Sequence, residues 1–160
     1  MLLGVAEHAL GSPFVAALKA AGVKHAYVVC GAEGLDEISC AGDTHVWELL
    51  DDGSSCERTL CPADFGLPVH PLDDVKGATP AENAATFKTL LASGNNIPEH
   101  LTPVLDFVLM NAAALLVVAG HADNFKDGVR LARESITSGR AWHAFEVFRE
   151  YGVKESAETR

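Results

Sequence analysis

Positive charge is scarce in this 160-residue chain, where 12 Lys and Arg stand against 22 Asp and Glu and leave a net charge of -10. With no Lys/Arg cluster either, the chain offers a phosphate backbone no general attraction, which removes nucleic acid from the expected partners. A phosphorylated small molecule stays open, because local amides and a metal can outweigh global charge. Paired cysteines are missing too. Cys30, Cys40, Cys56 and Cys61 lack the C-x-x-C spacing of a structural zinc site, and no secretory signal precedes them. They read as reduced thiols of a cytoplasmic protein, not as a zinc cluster completed by His25 or His45. No apolar run reaches the roughly 20 residues of a membrane span, so a membrane is not an expected partner. The longest run, Phe107 to Ala119, contains Asn111, follows Asp106 and reads as a buried helix. Walker and G-x-G-x-x-G phosphate loops, internal repeats and low-complexity segments are absent as well. What is present, with 48% hydrophobic content, suffices for one domain with its own core. The opening residues Met1 to Ala6 are apolar and uncapped, as if a strand or loop were entered midway.

The most informative stretch runs Val28-Val29-Cys30-Gly31-Ala32-Glu33-Gly34-Leu35-Asp36-Glu37-Ile38-Ser39. Ala26 to Cys30 is predicted as a buried strand that ends in a Gly-punctuated loop. In a strand or helix the adjacent carboxylates of Asp36 and Glu37 would diverge. Gly31 and Gly34 free the backbone, so the two acids can converge beyond the carboxyl end of a strand, where open α/β sheets bind ligands. Such a pair suits a Mg²⁺ that keeps most of its waters and takes its other ligands from a substrate's phosphates. A turn with two solvated acids has the same spacing. The residues by themselves leave both readings open.

Around this stretch the pattern alternates between helix and strand. Ser12-Pro13 predicts a helix start, with Phe14, Val15, Leu18 and Ala21 as its buried stripe and Gly22 as its left-handed stop. His25 is expected at the surface. His45 to Leu50 and Cys56 to Leu60 are predicted as a hairpin turning at Asp51-Asp52-Gly53-Ser54, with Trp47 in the core. Three breakers in Pro62 to Pro68 argue against a regular element there, and Phe65 and Leu67 are expected to plug the core. Leu72 to Gly77 is a second loop or short helical turn. Thr79 and Glu82 form a capping box for a helix ending at Gly94, and Asn83 is expected to bond a nearby backbone group. Pro103 opens a helix to about Gly120 that is apolar nearly all round, hence central and covered on most sides, with Ala112 to Ala114 allowing close approach and Asn111 needing an internal partner. Asn124 or Asp123 caps a helix from Phe125 to Ser138 that buries Val129, Leu131, Ala132 and Ile136. Another follows from Arg140 to Tyr151, burying Trp142, Phe145, Val147 and Phe148. The expected architecture is α/β: a mixed, mainly parallel sheet with a β-hairpin extension, covered by helices.

The string from Val28 to Ser39 resembles the signature of anthranilate phosphoribosyltransferase, which joins anthranilate to phosphoribosyl pyrophosphate in tryptophan biosynthesis. Pro62 to Leu67, Glu82-Asn83-Ala84, Asn111 to Leu115, Gly128-Val129 with Ala132, and Ser138 to Ala141 resemble the same family in order and spacing. The likeness extends from Gly4 to about Tyr151. It implies that residues 1–152 are the C-terminal portion of a nucleoside phosphorylase/phosphoribosyltransferase catalytic domain, and 153–160 a frayed charged tail. Adjacent Asp and Glu hold the Mg²⁺ of the pyrophosphate in that family, so the resemblance assigns this role to Asp36 and Glu37. Cys30 departs from the family, which usually has His there.

The resemblance implies a glycosyltransferase of the cytoplasm, a homodimer through N-terminal helices that have no counterpart in this sequence. The family's Gly-Thr-Gly-Gly-Asp phosphate loop has none either, so this chain is expected to be inactive by itself. Two alternatives stand beside this reading: a non-catalytic binding or scaffold protein derived from the same domain, and a related pyrimidine nucleoside phosphorylase.

Overall fold

The computed structural model describes residues 1–158, with side chains through residue 152. Four strands form one sheet in the order β1-β2-β3-β4: β1 Leu2–Gly4, β2 Ala26–Gly31, β3 Thr44–Leu49 and β4 Ser55–Leu60. Between β1 and β2 lies helix α1, Gly11–Ala20, and this crossover makes the two strands parallel. The other two pairings are antiparallel. The sheet is therefore mixed, as expected, but not mainly parallel. A parallel pairing needs a long crossover, here supplied by α1, whereas β2, β3 and β4 follow one another through a loop and a hairpin.

Both faces of the sheet are covered, which is why every residue of β2 is buried. Ala26, Val28 and Cys30 join Val15 of α1, Trp47 and Leu49 on one side. Tyr27 and Val29 face the other way, onto Met110, Ala113 and Ala114 of helix α3, Thr102–Val118. Helix α2, Pro80–Ala92, and helix α4, Phe125–Thr137, complete a third cluster with α3 through Leu90, Leu109, Ala132 and Ile136. Helix α5 spans Arg140–Glu158, so the backbone stays helical beyond the end expected at Tyr151. The side chains of the tail expected to fray over 153–160, and its last two residues entirely, lie outside the described residues.

Local signals held where a neighbour in sequence supplies the partner. Thr79 Oγ1 accepts from the Glu82 amide while the Glu82 carboxylate accepts from the Thr79 amide, closing the capping box. Asn124 Oδ1 accepts from the Asp127 amide at 2.9 Å. Gly53 has φ +80 in the hairpin turn, and Gly22 has φ +81 just past α1. Asn83 bonds both polar atoms of Ala78.

Several expectations failed on facing. A short 3-10 turn at His8–Leu10 leads into α1, so Ser12 lies inside the helix and bonds Glu57 instead of capping. A similar turn at Glu99–Leu101 sets α3 going before Pro103, and Pro62–Phe65 is itself a 3-10 turn that buries Phe65. Phe14, Ala21, Val147 and Phe148, expected on buried faces, are exposed, and Val108 and Leu115 leave one side of α3 uncovered. The turn and helix together, Glu99–Val118, are long and apolar enough to cross a membrane, with mean hydropathy 2.0, so the exclusion by length does not stand. This helix packs instead against β1 and α4. Its contact with α4 is close: a Cβ on Gly128 would lie 2.9 Å from the Cα, Cβ and carbonyl oxygen of Ala113.

Candidate functional site

The loop leaving β2 contains the two acids. Gly31 donates to the Leu35 carbonyl at 2.7 Å, Gly34 donates to the Gly31 carbonyl at 2.8 Å, and Ala32 donates to the Asp43 carbonyl at 2.9 Å. These bonds roll the chain into a tight turn. Gly34 needs its freedom for a φ of +85, whereas Gly31 has no left-handed torsion and is favoured by the crowding around it. A Cβ there would lie 3.0 Å from the Leu35 Cβ and 3.3 Å from the Ser39 Cβ.

Beyond the turn, Asp36 and Glu37 are exposed and line one cleft of about 370 Å³. Its remaining walls are apolar, formed by Leu2, Val29, Ala112 and Leu115, with Gly4 and Asn111 beside the acids. Among the described residues, no Lys, Arg or His lines it. Neither acid side chain has a hydrogen bond or ion pair among the described residues. Partial loss of water around Glu37 raises its pKa above the ordinary carboxylate value, and the charge of Asp36 raises it further. By contrast Glu33, earlier in the same loop, is bound to the hydroxyl of buried Ser39. The sequence-predicted pair is thus brought to one open cleft with its oxygens free.

Two contacts hold the pair from behind. Gly4 of β1 lies against Asp36 so closely that a Cβ on it would sit 1.5 Å from the Asp36 carbonyl oxygen. From α3, Asn111 accepts from the Ile38 amide at 2.9 Å and donates to the Ile38 carbonyl at 3.1 Å, which supplies the internal partner its placement demanded. A further link comes through a residue that sequence reasoning passed over. Asp106, 3% exposed, accepts from His70 at 3.0 Å and from Arg133 at 3.3 Å, and the His70 amide donates to the Cys40 carbonyl just after the acids. Nothing in the sequence signalled this, because the three side chains come from separate segments.

Elsewhere the thiols are free, with Cys30 and Cys40 buried. Among the described residues no three His, Cys, Asp or Glu side chains are grouped to enclose an ion. His25 pairs with Glu48 at 3.2 Å and stays partly exposed, as expected. A small divalent cation fits the donor set at the cleft: two unpartnered carboxylates, with open space for the waters that Mg²⁺ retains.

Residues 1–142 match the glycosyl transferase family, a/b domain. The chain belongs to that family. Within this glycosyl transferase family it is 44% identical over 140 residues to the anthranilate phosphoribosyltransferase of Schizosaccharomyces pombe, covering 88% of this chain and 38% of that protein. Identity to the anthranilate phosphoribosyltransferase of Methanobrevibacter smithii is 43% over 150 residues, covering 94% and 43%. Solved structures agree. The anthranilate phosphoribosyltransferase from Saccharomyces cerevisiae in complex with 4-fluoroanthranilate superposes with a TM-score of 0.80 at 35% identity, over 91% of this chain and 40% of that one. The same enzyme in complex with PRPP and Mg gives 0.79 at 34% identity, with the same coverage. The chain thus spans about 40% of the length of the relatives it matches.

Proposed function

We propose that this chain is the part of an anthranilate phosphoribosyltransferase that holds Mg²⁺ for the pyrophosphate of phosphoribosyl pyrophosphate, with Asp36 and Glu37 as the metal ligands. The observation that carries this reading is the free, shared position of those two carboxylates on a family scaffold whose relatives include an enzyme solved with PRPP and Mg. In the reaction, the amine nitrogen of anthranilate forms a bond to the anomeric carbon as the bond to the pyrophosphate oxygen breaks, and the amine then loses a proton. No protein nucleophile is required, so catalysis rests on orientation and on stabilising the departing charge. Asp36 and Glu37 would hold the Mg²⁺, whose positive charge would offset the negative charge of the leaving group.

The chain's own residues prepare the place. Asp36 and Glu37 offer oxygens, Gly4 and Asn111 fix the backbone on either side, and the apolar wall limits water on one flank. Among the described residues no cation lines the cleft, so sugar phosphate and anthranilate are assigned to groups outside it. The proposal extends to a cytoplasmic setting, which the four free cysteines suit, to a homodimeric parent enzyme, to the absence of nucleic acid partners, which the net charge of -10 suits, and to the absence of membrane partners, which the packing of α3 against α4 and β1 suits.

Titration with Mn²⁺ followed by electron paramagnetic resonance, with Mg²⁺ as competitor, tests the assignment. The expected result is one saturable site, in about the millimolar range for two carboxylates without substrate phosphates. Asp36→Asn and Glu37→Gln should each weaken it by at least about tenfold. Equal affinity in all three proteins would overturn the assignment.

A further inference from the structure

Asn111 lines the acid cleft, yet its amide is already engaged. Besides its two bonds to Ile38, its Nδ2 donates to the Phe107 carbonyl at 3.1 Å, so both amide donors are used. That leaves no N–H for a substrate and makes the residue a holder of backbone, not a ligand. The amide it grips belongs to the peptide joining Glu37 to Ile38. Gly4 lies against the carbonyl of Asp36, one residue earlier. The backbone carrying the two acids is therefore pinned on both sides while their side chains remain free.

We propose that Asn111 is a positioning residue of the divalent-cation site, setting the span between the Asp36 and Glu37 carboxylates to one that suits Mg²⁺ better than Ca²⁺. The inference rests on the reading of that pair as metal ligands. Two adjacent anions repel, and a loop without the amide grip spreads to separate them. Mg²⁺ demands near-ideal octahedral geometry at about 2.0–2.1 Å, whereas Ca²⁺ accepts irregular shells at about 2.3–2.6 Å. A spread pair thus loses the smaller ion first. A residue that only docked α3 onto the loop would, when replaced, weaken both ions alike.

The test compares Mg²⁺ and Ca²⁺ as competitors for bound Mn²⁺ in the unaltered chain, Asn111→Leu, Asn111→Ser and Leu116→Ala, with circular dichroism to verify folding. Leu116 packs on the same helix away from the cleft and reports the effect of lost stability. Both Asn111 variants should bind Mg²⁺ about tenfold or more weakly, in line with outer-shell partners of metal ligands. Their affinity for Ca²⁺ should fall less, and the Leu116→Ala ratio should not move. If Asn111→Leu does not fold, the serine variant decides. An unchanged Mg²⁺/Ca²⁺ ratio in folded Asn111→Ser, with Mg²⁺ bound by the unaltered chain, overturns this inference. Failure of the unaltered chain to bind Mg²⁺ overturns the metal assignment first, and the positioning role with it.

Discussion

Glu37 carries its charge at a disadvantage, short of water and next to Asp36. Its proton is therefore held to a higher pH in the folded protein than in the unfolded chain, where the carboxyl titrates near 4.5. The contribution of Glu37 to stability is fully present below that unfolded value and is lost as pH rises through the folded one. Asp52 and Glu82, whose pKa values are lowered by their hydrogen bonds to Ser54 and Thr79, work in the opposite direction. The Glu37 contribution is isolated by subtraction: urea midpoints taken at close pH intervals should fall, relative to Glu37→Gln, over the window just above 4.5. Parallel curves for the two proteins would contradict the shift. The sequence made the acid pair visible, since two adjacent carboxylates in a glycine loop are a local pattern. It could not show the Asp106, His70 and Arg133 cluster, whose members meet only after α3, α4 and the loop before them have packed.

Helix ends were legible where a side chain or glycine within a few residues supplies the cap, though not at Ser12 or Pro103, and helix faces were less so. Thr79 with Glu82, Asn124, Gly22 and Gly53 act within a few residues of themselves, so no knowledge of the rest of the chain is needed. An apolar stripe states only that burial is favourable. In α3 apolar residues surround the helix, but β1 and α4 cover part of it and leave Val108 and Leu115 in water. Where α3 meets α4, the small residues do what their size allows. Replacing Gly128 by Ala places a methyl inside the contact with Ala113, costing about 1–3 kcal/mol for overpacking against at most about 1 kcal/mol of helix propensity gained. A net loss of about 1 kcal/mol is expected in a urea denaturation series. A more stable Gly128→Ala protein would show that the two helices can separate at little cost.

At the scale of the whole molecule, helices pack on both faces of the sheet, and the acid cleft is lined by no cation among the described residues. Purified protein of this length, given anthranilate, phosphoribosyl pyrophosphate and Mg²⁺, should form no phosphoribosyl-anthranilate above the uncatalysed rate. Steady product formation, measured by anthranilate fluorescence, would show that the residues present suffice for catalysis. By itself the sequence determined the family, the alternation of helices and strands, the hairpin, the caps at Thr79 and Asn124 and the acid pair, because the local features among these depend on residues close together in the chain. Tertiary structure alone decided the single parallel pairing, the faces left in water, and the grip of Asn111 and Gly4 on the acid loop. Those depend on segments far apart in sequence that meet only when apolar surface is buried, and no local pattern specifies which of them will touch.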